Sequence, residues 1–229
     1  RMKRISQEDE LLVTHQTSKE LIRGLAHEIK NPLGGIRGAA QLISRSFKDE
    51  ALKDYTQVII EESDRLRDLV DRLLGPRQLP KKESINVHKV IERVNQLVTV
   101  EADDRIRFIR DYDPSIPDIM GDSSQLIQAL LNVVRNAMQA LLQDVTQEDK
   151  QIRIMTRALR QFTIGSKRHK LVCKIRVIDN GPGIPSAILK TLFYPMVSGR
   201  ADGTGLGLSI AQSIINQHDG LIECKREQH

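Results

Sequence analysis

Residues 11–74 keep apolar side chains at helical spacing almost without a break, and beyond a short Pro-rich stretch the pattern turns to mixed helix and strand. From Leu11 to Ser46 the only strong breakers are Pro32 and four glycines. Ile22, Leu25, Ile29, Leu33, Ile36, Ala40 and Ile43 recur at steps of three and four, a coiled-coil-like stripe. A second helix is expected from about Asp49 to Leu74, with Leu52, Tyr55, Ile59, Leu66, Leu69 and Leu73 as its stripe. Residues 44–49 form the turn, and Gly75-Pro76 stops the second helix. Two helices with one apolar face each bury those faces poorly alone. Pairing two such hairpins gives a four-helix bundle, so a homodimer is expected. The other arrangement is an intrachain pair docked on the rest of the molecule.

Pro76 to Ser84 is Pro-rich and charged and reads as a linker, dividing the chain into residues 1–78 and 79–229. Beyond it, Val87 to Val98 reads as a helix and Arg105 to Asp111 alternates as a strand. Asp122, with Gln125 three residues on, is the signature of a capped helix start, and that helix runs to about Leu142. Ile152 to Leu159 and Lys170 to Ile178 read as strands. The turn between them, Ile164 to His169, holds Gly165 and a short basic run of solvated charge. Leu208 to His218 is expected as a helix and Leu221 to Lys225 as a further strand. The fold class is therefore α+β, a helical hairpin followed by an α/β domain.

Composition narrows the function. Of 229 residues 39% are hydrophobic, enough for a core, and the net charge is only +5. Aromatics make up 3% with no Trp, which argues against a stacking platform for single-stranded nucleic acid. Two cysteines, Cys173 and Cys224, give neither a disulfide framework nor a Cys-rich metal site. Cys173, in an apolar strand, is expected to be a buried small hydrophobe. No apolar stretch reaches about 18 residues, and Arg1 to Glu10 has no signal-peptide apolar region. A cytoplasmic protein without membrane insertion is expected.

Four constellations carry chemistry. In the first, His27-Glu28-Ile29-Lys30-Asn31-Pro32, His27 falls off the apolar stripe and faces solvent, with Asn31 one turn later on the same face. Glu28 can accept a proton or hold the imidazole tautomer. Pro32 cannot donate to the Glu28 carbonyl, so a bend is expected there. A lone exposed His is ordinarily just a surface residue. In the second, Asn132 and Asn136 lie four apart on a helix whose other face is apolar. Two amide oxygens one turn apart suit a hard cation completed by phosphates, although two amides on a polar face are commonplace. In the third, Asp179-Asn180-Gly181-Pro182-Gly183 follows an apolar strand. Its Asp can accept from an amino group such as that of adenine, and its glycines let backbone approach a flat ring. A simple turn explains it equally. In the fourth, Gly203-Thr204-Gly205-Leu206-Gly207 opens a helix, where backbone N–H groups and the dipole favour an anion. It is neither a Walker A loop, since no Lys-Ser/Thr follows, nor a Rossmann turn, since no strand precedes it.

Taken together and in this order, the four resemble the H, N, G1 and G2 boxes of the sensor histidine kinases of two-component systems, with Phe193 where the F box falls. His27 to Gly38 (HEIKNPLGGIRG), Leu69 to Pro76 (LVDRLLGP) and Leu192 to Arg200 (LFYPMVSGR) resemble the cytosolic nitrogen-regulation branch of that family. The resemblance implies a dimeric helical phosphoacceptor domain followed by a GHKL-type α/β sandwich that binds ATP. It implies that His27 attacks the γ-phosphate of ATP, with Glu28 as acid/base partner. Asn136 would hold Mg²⁺ with Asn132 beside it, and Asp179, Gly181 and Gly183 would take the adenine. Phe193, Arg200, Gly203, Thr204, Gly205, Leu206 and Gly207 would surround the nucleotide. Asn31 would orient water to dephosphorylate the partner. The implied partners are an NtrC-type response regulator, which receives the phosphoryl group on an Asp, and the PII signal protein as the switch between kinase and phosphatase.

The chain departs from the family pattern in three places. The segment between Phe193 and Gly203 is short, which implies a small ATP lid and modest affinity. Gln139 stands where many relatives carry a basic residue, so Arg200 or Arg135 must compensate charge, with Arg200 favoured. After Leu221 to Lys225 the family usually adds a further hairpin strand, so an exposed sheet edge is expected. Two other classes share part of the pattern. Another GHKL ATPase lacks a His box on a dimerising hairpin, and a nucleotide-binding scaffold without phosphotransfer has no need of the intact His and Asn set.

Overall fold

The computed structural model describes residues 28–47, 49–74, 79–144, 146–189, 191–198 and 205–226, without the side chains of 51, 68, 69 and 71–74. His27, Arg200, Gly203 and Thr204 lie outside the described residues. The chain forms two compact units, residues 1–77 and 78–229.

The first unit holds helix α1, described over residues 28–46, and helix α2 (Glu50–Leu74). The helix α1 includes Pro32. Leu33 and Ala40, seven apart, are buried on α1, and so are Thr56, Ser63 and Val70, at the same spacing, on α2. A seven-residue step keeps one seam facing a neighbouring helix. Small residues in that seam let the helices lie close. Thr56 remains satisfied because its hydroxyl donates back to the Leu52 and Lys53 carbonyls (3.0 and 2.9 Å). Arg37 joins α1 to α2 through Asp64 at 2.8 Å. The expected stripe on α2 is corrected here: Tyr55, Ile59 and Leu66 are exposed, at 70%, 43% and 46%. On α1 the stripe divides in two, with Leu33 and Ala40 inside and Ile29, Ile36 and Ile43 outside.

The second unit runs β1 (Glu83–Ile85), α3 (Val87–Ala102), β2 (Arg107–Asp111), β3 (Ile119–Gly121), α4 (Ser123–Gln143), β4 (Gln151–Ile164), β5 (Lys167–Asp179), α5 (Ser186–Leu189) and α6 (Gly207–Gln217). The main sheet has the order β2-β4-β5, with β2 parallel and β5 antiparallel to β4. Helices α3 and α4 cover one face. Ile91, Val94 and Val98 of α3, Val134 and Leu141 of α4, and Ile152 and Ile154 of β4 form a core with essentially no exposure. Local chemistry sets the helix starts. The Asn86 side chain accepts from the backbone N–H groups of His88 and Lys89. Asp122 accepts from Gln125 N–H at 3.1 Å, the cap read from sequence.

Sheet boundaries differ from expectation. β4 and β5 meet at a two-residue loop, Gly165-Ser166, with Gly165 at φ +57°. The basic run Lys167-Arg168-His169 therefore belongs to a strand, not a turn. Paired backbone extends well past the apolar alternation that marked the strands. The Pro-rich stretch ends in β1, which pairs with β3 in a ribbon that the sequence reading missed. Leu221 to Lys225 is not a strand. Residues 221–226 carry no ladder, and β5 pairs only with β4 among the described residues. The segment instead brings Cys224 and Arg226 to the loop after β5.

Candidate functional site

Helix α6 begins at Gly207 with no side-chain cap, so its first N–H groups are left for another partner. Facing that end is the polar stripe of α4. Asn132 Nδ2 donates to the Gly207 carbonyl oxygen at 3.1 Å. A Cβ on Gly207 would stand 3.8 Å from both Asn132 Cβ and Asn136 Nδ2. Both asparagines are half-buried. Ser209 Oγ donates to the Leu206 carbonyl at 2.9 Å and closes the first turn from within. Leu206 itself is buried, anchoring the helix start in the core.

Gly205 sits at φ +65°, and a Cβ there would lie 2.5 Å from the Met196 carbonyl carbon and 2.7 Å from Val197 N. No other residue type fits. The close approach lets Met196 N–H donate to the Gly205 carbonyl at 3.1 Å, which ties the Phe193 segment to the approach to α6. Phe193 is half-buried in this turn.

At the end of β5, Asp179 Oδ1 accepts from Gly181 N–H at 3.0 Å, forming a tight Asx-type turn. A Cβ on Gly181 would meet Asp179 Oδ1 at 2.9 Å and Leu141 Cδ2 at 3.4 Å, so this loop packs against the far end of α4. Gly183 has φ +77° and is bordered by the Arg226 guanidinium. Burial pushes the Cys224 thiol up, and the nearby Asp179 carboxylate adds to the effect. The Cys173 thiol is likewise pushed up to about 11 by burial, in keeping with an inert core cysteine. Sequence reasoning missed Cys224 and Arg226 as neighbours of the loop, because both lie more than forty residues from it along the chain.

Helix α4 thus brings the second, third and fourth constellations together, with the paired amides against α6 and Leu141 against the Asp179 loop. Arg135 is directed elsewhere. It holds Glu101 on α3 through Nε and Nη2, with Nε to Oε2 at 2.9 Å, and these bonds keep the Glu101 carboxyl below its usual range. Of the two arginines considered for charge compensation, Arg135 is therefore already committed. On the helical unit, Glu28 and Asn31 are exposed on α1. No group of three or more His, Cys, Asp or Glu poised for a metal occurs among the described residues. No helix among them is long and apolar enough to cross a membrane.

The uncapped helix end, the facing amides and the glycine that admits close backbone approach fit a phosphate-bearing ligand. An amide oxygen with phosphate oxygens would fit Mg²⁺.

Comparison with known proteins agrees with this chemistry. Residues 17–78 match the His Kinase A (phospho-acceptor) domain, and residues 121–229 match the histidine kinase-, DNA gyrase B- and HSP90-like ATPase family. Sensory histidine kinase/phosphatase NtrB of Klebsiella oxytoca is 54% identical over 96% of this chain, and that of Rhodobacter capsulatus is 40% identical over 86%. The chain spans 62% of the Klebsiella protein's length and 56% of the Rhodobacter one's. Among solved structures, histidine kinase ThkA in complex with response regulator protein TrrA aligns over 94% of this chain and 60% of its own, with a TM-score of 0.53 and 25% identity. Full-length ShkA in complex with AMPPNP shares the fold, with a TM-score of 0.57 at 23% identity, over 86% of this chain and 41% of its own.

Proposed function

The chain belongs to the two-component histidine kinases, and from that membership we propose that it is an ATP-dependent kinase that phosphorylates itself on His27 and acts as a phosphatase toward its partner regulator. The observation that supports this most is the paired amides of α4 set against the uncapped start of α6.

Phosphoryl transfer needs position and charge compensation more than covalent help from the protein. The α6 N–H groups and Asn132 would hold the phosphates. Asn136 would hold Mg²⁺, which supplies charge neutralisation when bound. Asp179 would accept from the adenine amino group, with Gly181 and Gly183 leaving room for the ring. Gly203, Thr204, Gly205 and Leu206 would line the phosphate loop beside Phe193, with Arg200 as the compensating cation. An imidazole nitrogen of His27 attacks the γ-phosphorus, the bond from phosphorus to the bridging oxygen breaks, and ADP leaves. Glu28 takes the imidazole proton. The phosphoryl group then passes to an aspartate of an NtrC-type regulator. Asn31, exposed on the same helix as Glu28, would hold the water that later hydrolyses that acyl phosphate. The PII protein would set the balance of the two activities.

The exposed stripe Ile29, Ile36, Ile43, with Ile59 and Leu66 on α2, supports a homodimer, since it gives each hairpin a second apolar face.

Labelling with γ-labelled ATP and Mg²⁺ tests the reading. Acid-labile, alkali-stable label in wild type, absent in His27→Gln, is expected. Label that survives the substitution removes His27 as acceptor. ATP hydrolysis without protein label points to a different GHKL ATPase.

A further inference from the structure

Helix α6 is fastened to α4 at two points, one at each end. Its first residue, Gly207, receives the Asn132 bond described above. At its last turn, His218 Nε2 accepts from the Asp122 backbone N–H at 2.9 Å, and Asp122 is the N-cap of α4. The other ring nitrogen, Nδ1, lies 2.8 Å from the Ile214 carbonyl oxygen. A carbonyl only accepts and an N–H only donates, so these partners define a neutral ring protonated on Nδ1.

The two fastenings match in length. Asp122 to Asn132 is ten residues along α4, about 15 Å, and Gly207 to His218 is eleven along α6, about 16.5 Å. The helices run antiparallel, so the His218 bond fixes how far α6 slides along α4. Axial position decides whether the open N–H groups of α6 face Asn132 and Asn136. Gly121 lies beside the ring in a close-packed position: a Cβ there would lie 2.9 Å from Leu126 Cδ1, 3.2 Å from Ile85 Cδ1 and 3.4 Å from His218 Cδ2. At the same end Lys82 pairs with Asp219 at 3.0 Å, outside the ring.

We propose that His218 is a positioning residue of the nucleotide site, setting the register of α6 on α4 through Asp122 N–H although it lies at the opposite end of α6 from the phosphates. The inference rests on the nucleotide reading given above.

Side-chain amides separate the two ring bonds. The Gln amide oxygen reaches the position of Nε2 and can restore the Asp122 bond. The Asn amide nitrogen occupies the position of Nδ1 and restores only the Ile214 bond. ADP with Mg²⁺ is titrated calorimetrically into the full chain, as wild type, His218→Gln, His218→Asn and His218→Ala, below the melting temperature of each. Binding by His218→Gln is expected within about twofold of wild type, and by the other two about five- to tenfold weaker, the scale of one lost hydrogen bond. A purely structural histidine would lower melting temperature and leave affinity unmoved. Equal affinity in all four proteins, or a Gln variant as weak as Ala, overturns the inference and leaves the nucleotide reading intact. Failure of wild type to bind overturns both.

Discussion

The two units are built on opposite economies of surface. In the α/β unit, Ile91, Val94, Val98, Leu141, Ile152 and Ile154 are fully enclosed by their own chain. In the hairpin, only Leu33, Ala40 and Val70 are buried apolar positions among the described side chains, and two further seam positions are Thr56 and Ser63. Ile29, Ile36, Ile43 and Ile59 face outward instead. A closed core gives stability that belongs to the single chain, whereas a hairpin with its large side chains outside draws stability from association. The α/β unit thus encloses its own core, whereas the proposed homodimer would cover the outward stripe of the hairpin.

The sharpest break in that comparison is Ile36→Asp. Ile36 stands in the middle of the outward stripe, 51% exposed. In a symmetric dimer each copy loses one burial worth about 1.5–3 kcal/mol. The dimer dissociation constant should rise more than about 100-fold, read by sedimentation equilibrium. An unchanged constant would mean that the stripe is covered by something other than a second hairpin.

The complementary change is Leu141→Ala, deep in the α/β core and against Gly181. A loss of about 2–5 kcal/mol is expected. Urea unfolding followed by circular dichroism at two protein concentrations separates the effects. The Leu141 transition should move without concentration dependence, and the hairpin transition should keep its own. If Leu141→Ala shifted a concentration-dependent transition, the two units would not be independently stabilised.

This division also explains what the sequence could and could not disclose. Apolar residues at steps of three and four announced both helices, but hydrophobicity does not say which of two apolar faces meets the sister helix. On α2 the reading chose Tyr55, Ile59 and Leu66, while the seam is Thr56 and Ser63, small residues selected for close approach rather than hydrophobicity. In the site, Asp122, Gly181 and Gly205 were legible because caps, tight turns that leave no room for a Cβ and positive-φ positions demand particular residue types. His218 and Arg135 were not, because their partners lie 96 and 34 residues away. The strands ran past their apolar alternation because backbone pairing around Gly165-Ser166 continues under charged side chains. The ribbon β1–β3 escaped because three-residue strands leave too short a pattern to read.

Acid should separate the units more gently. Asp113 accepts from Ser115 Oγ at 2.6 Å, Ser115 N–H at 3.0 Å and Ala158 N–H at 3.1 Å. These bonds, the hydroxyl's first, lower its pKa to about 2. An unfolded Asp titrates near 3.9, so the unfolded chain binds this proton first as pH falls. Stability from Asp113 is therefore complete above about pH 4 and is lost as pH drops toward about 2. Asp111, held low by Arg157, and Glu101, held low by Arg135, act in the same direction and in the same unit. The α/β transition in urea should thus weaken between pH 4 and pH 2. Asp113→Asn should reduce that slope, differing from wild type at pH 6 and converging with it near pH 2. Parallel stability curves for the two proteins over that range would show that Asp113 is bonded as strongly in the unfolded chain as in the folded one, and would move the acid sensitivity of this unit onto its arginine-paired carboxylates.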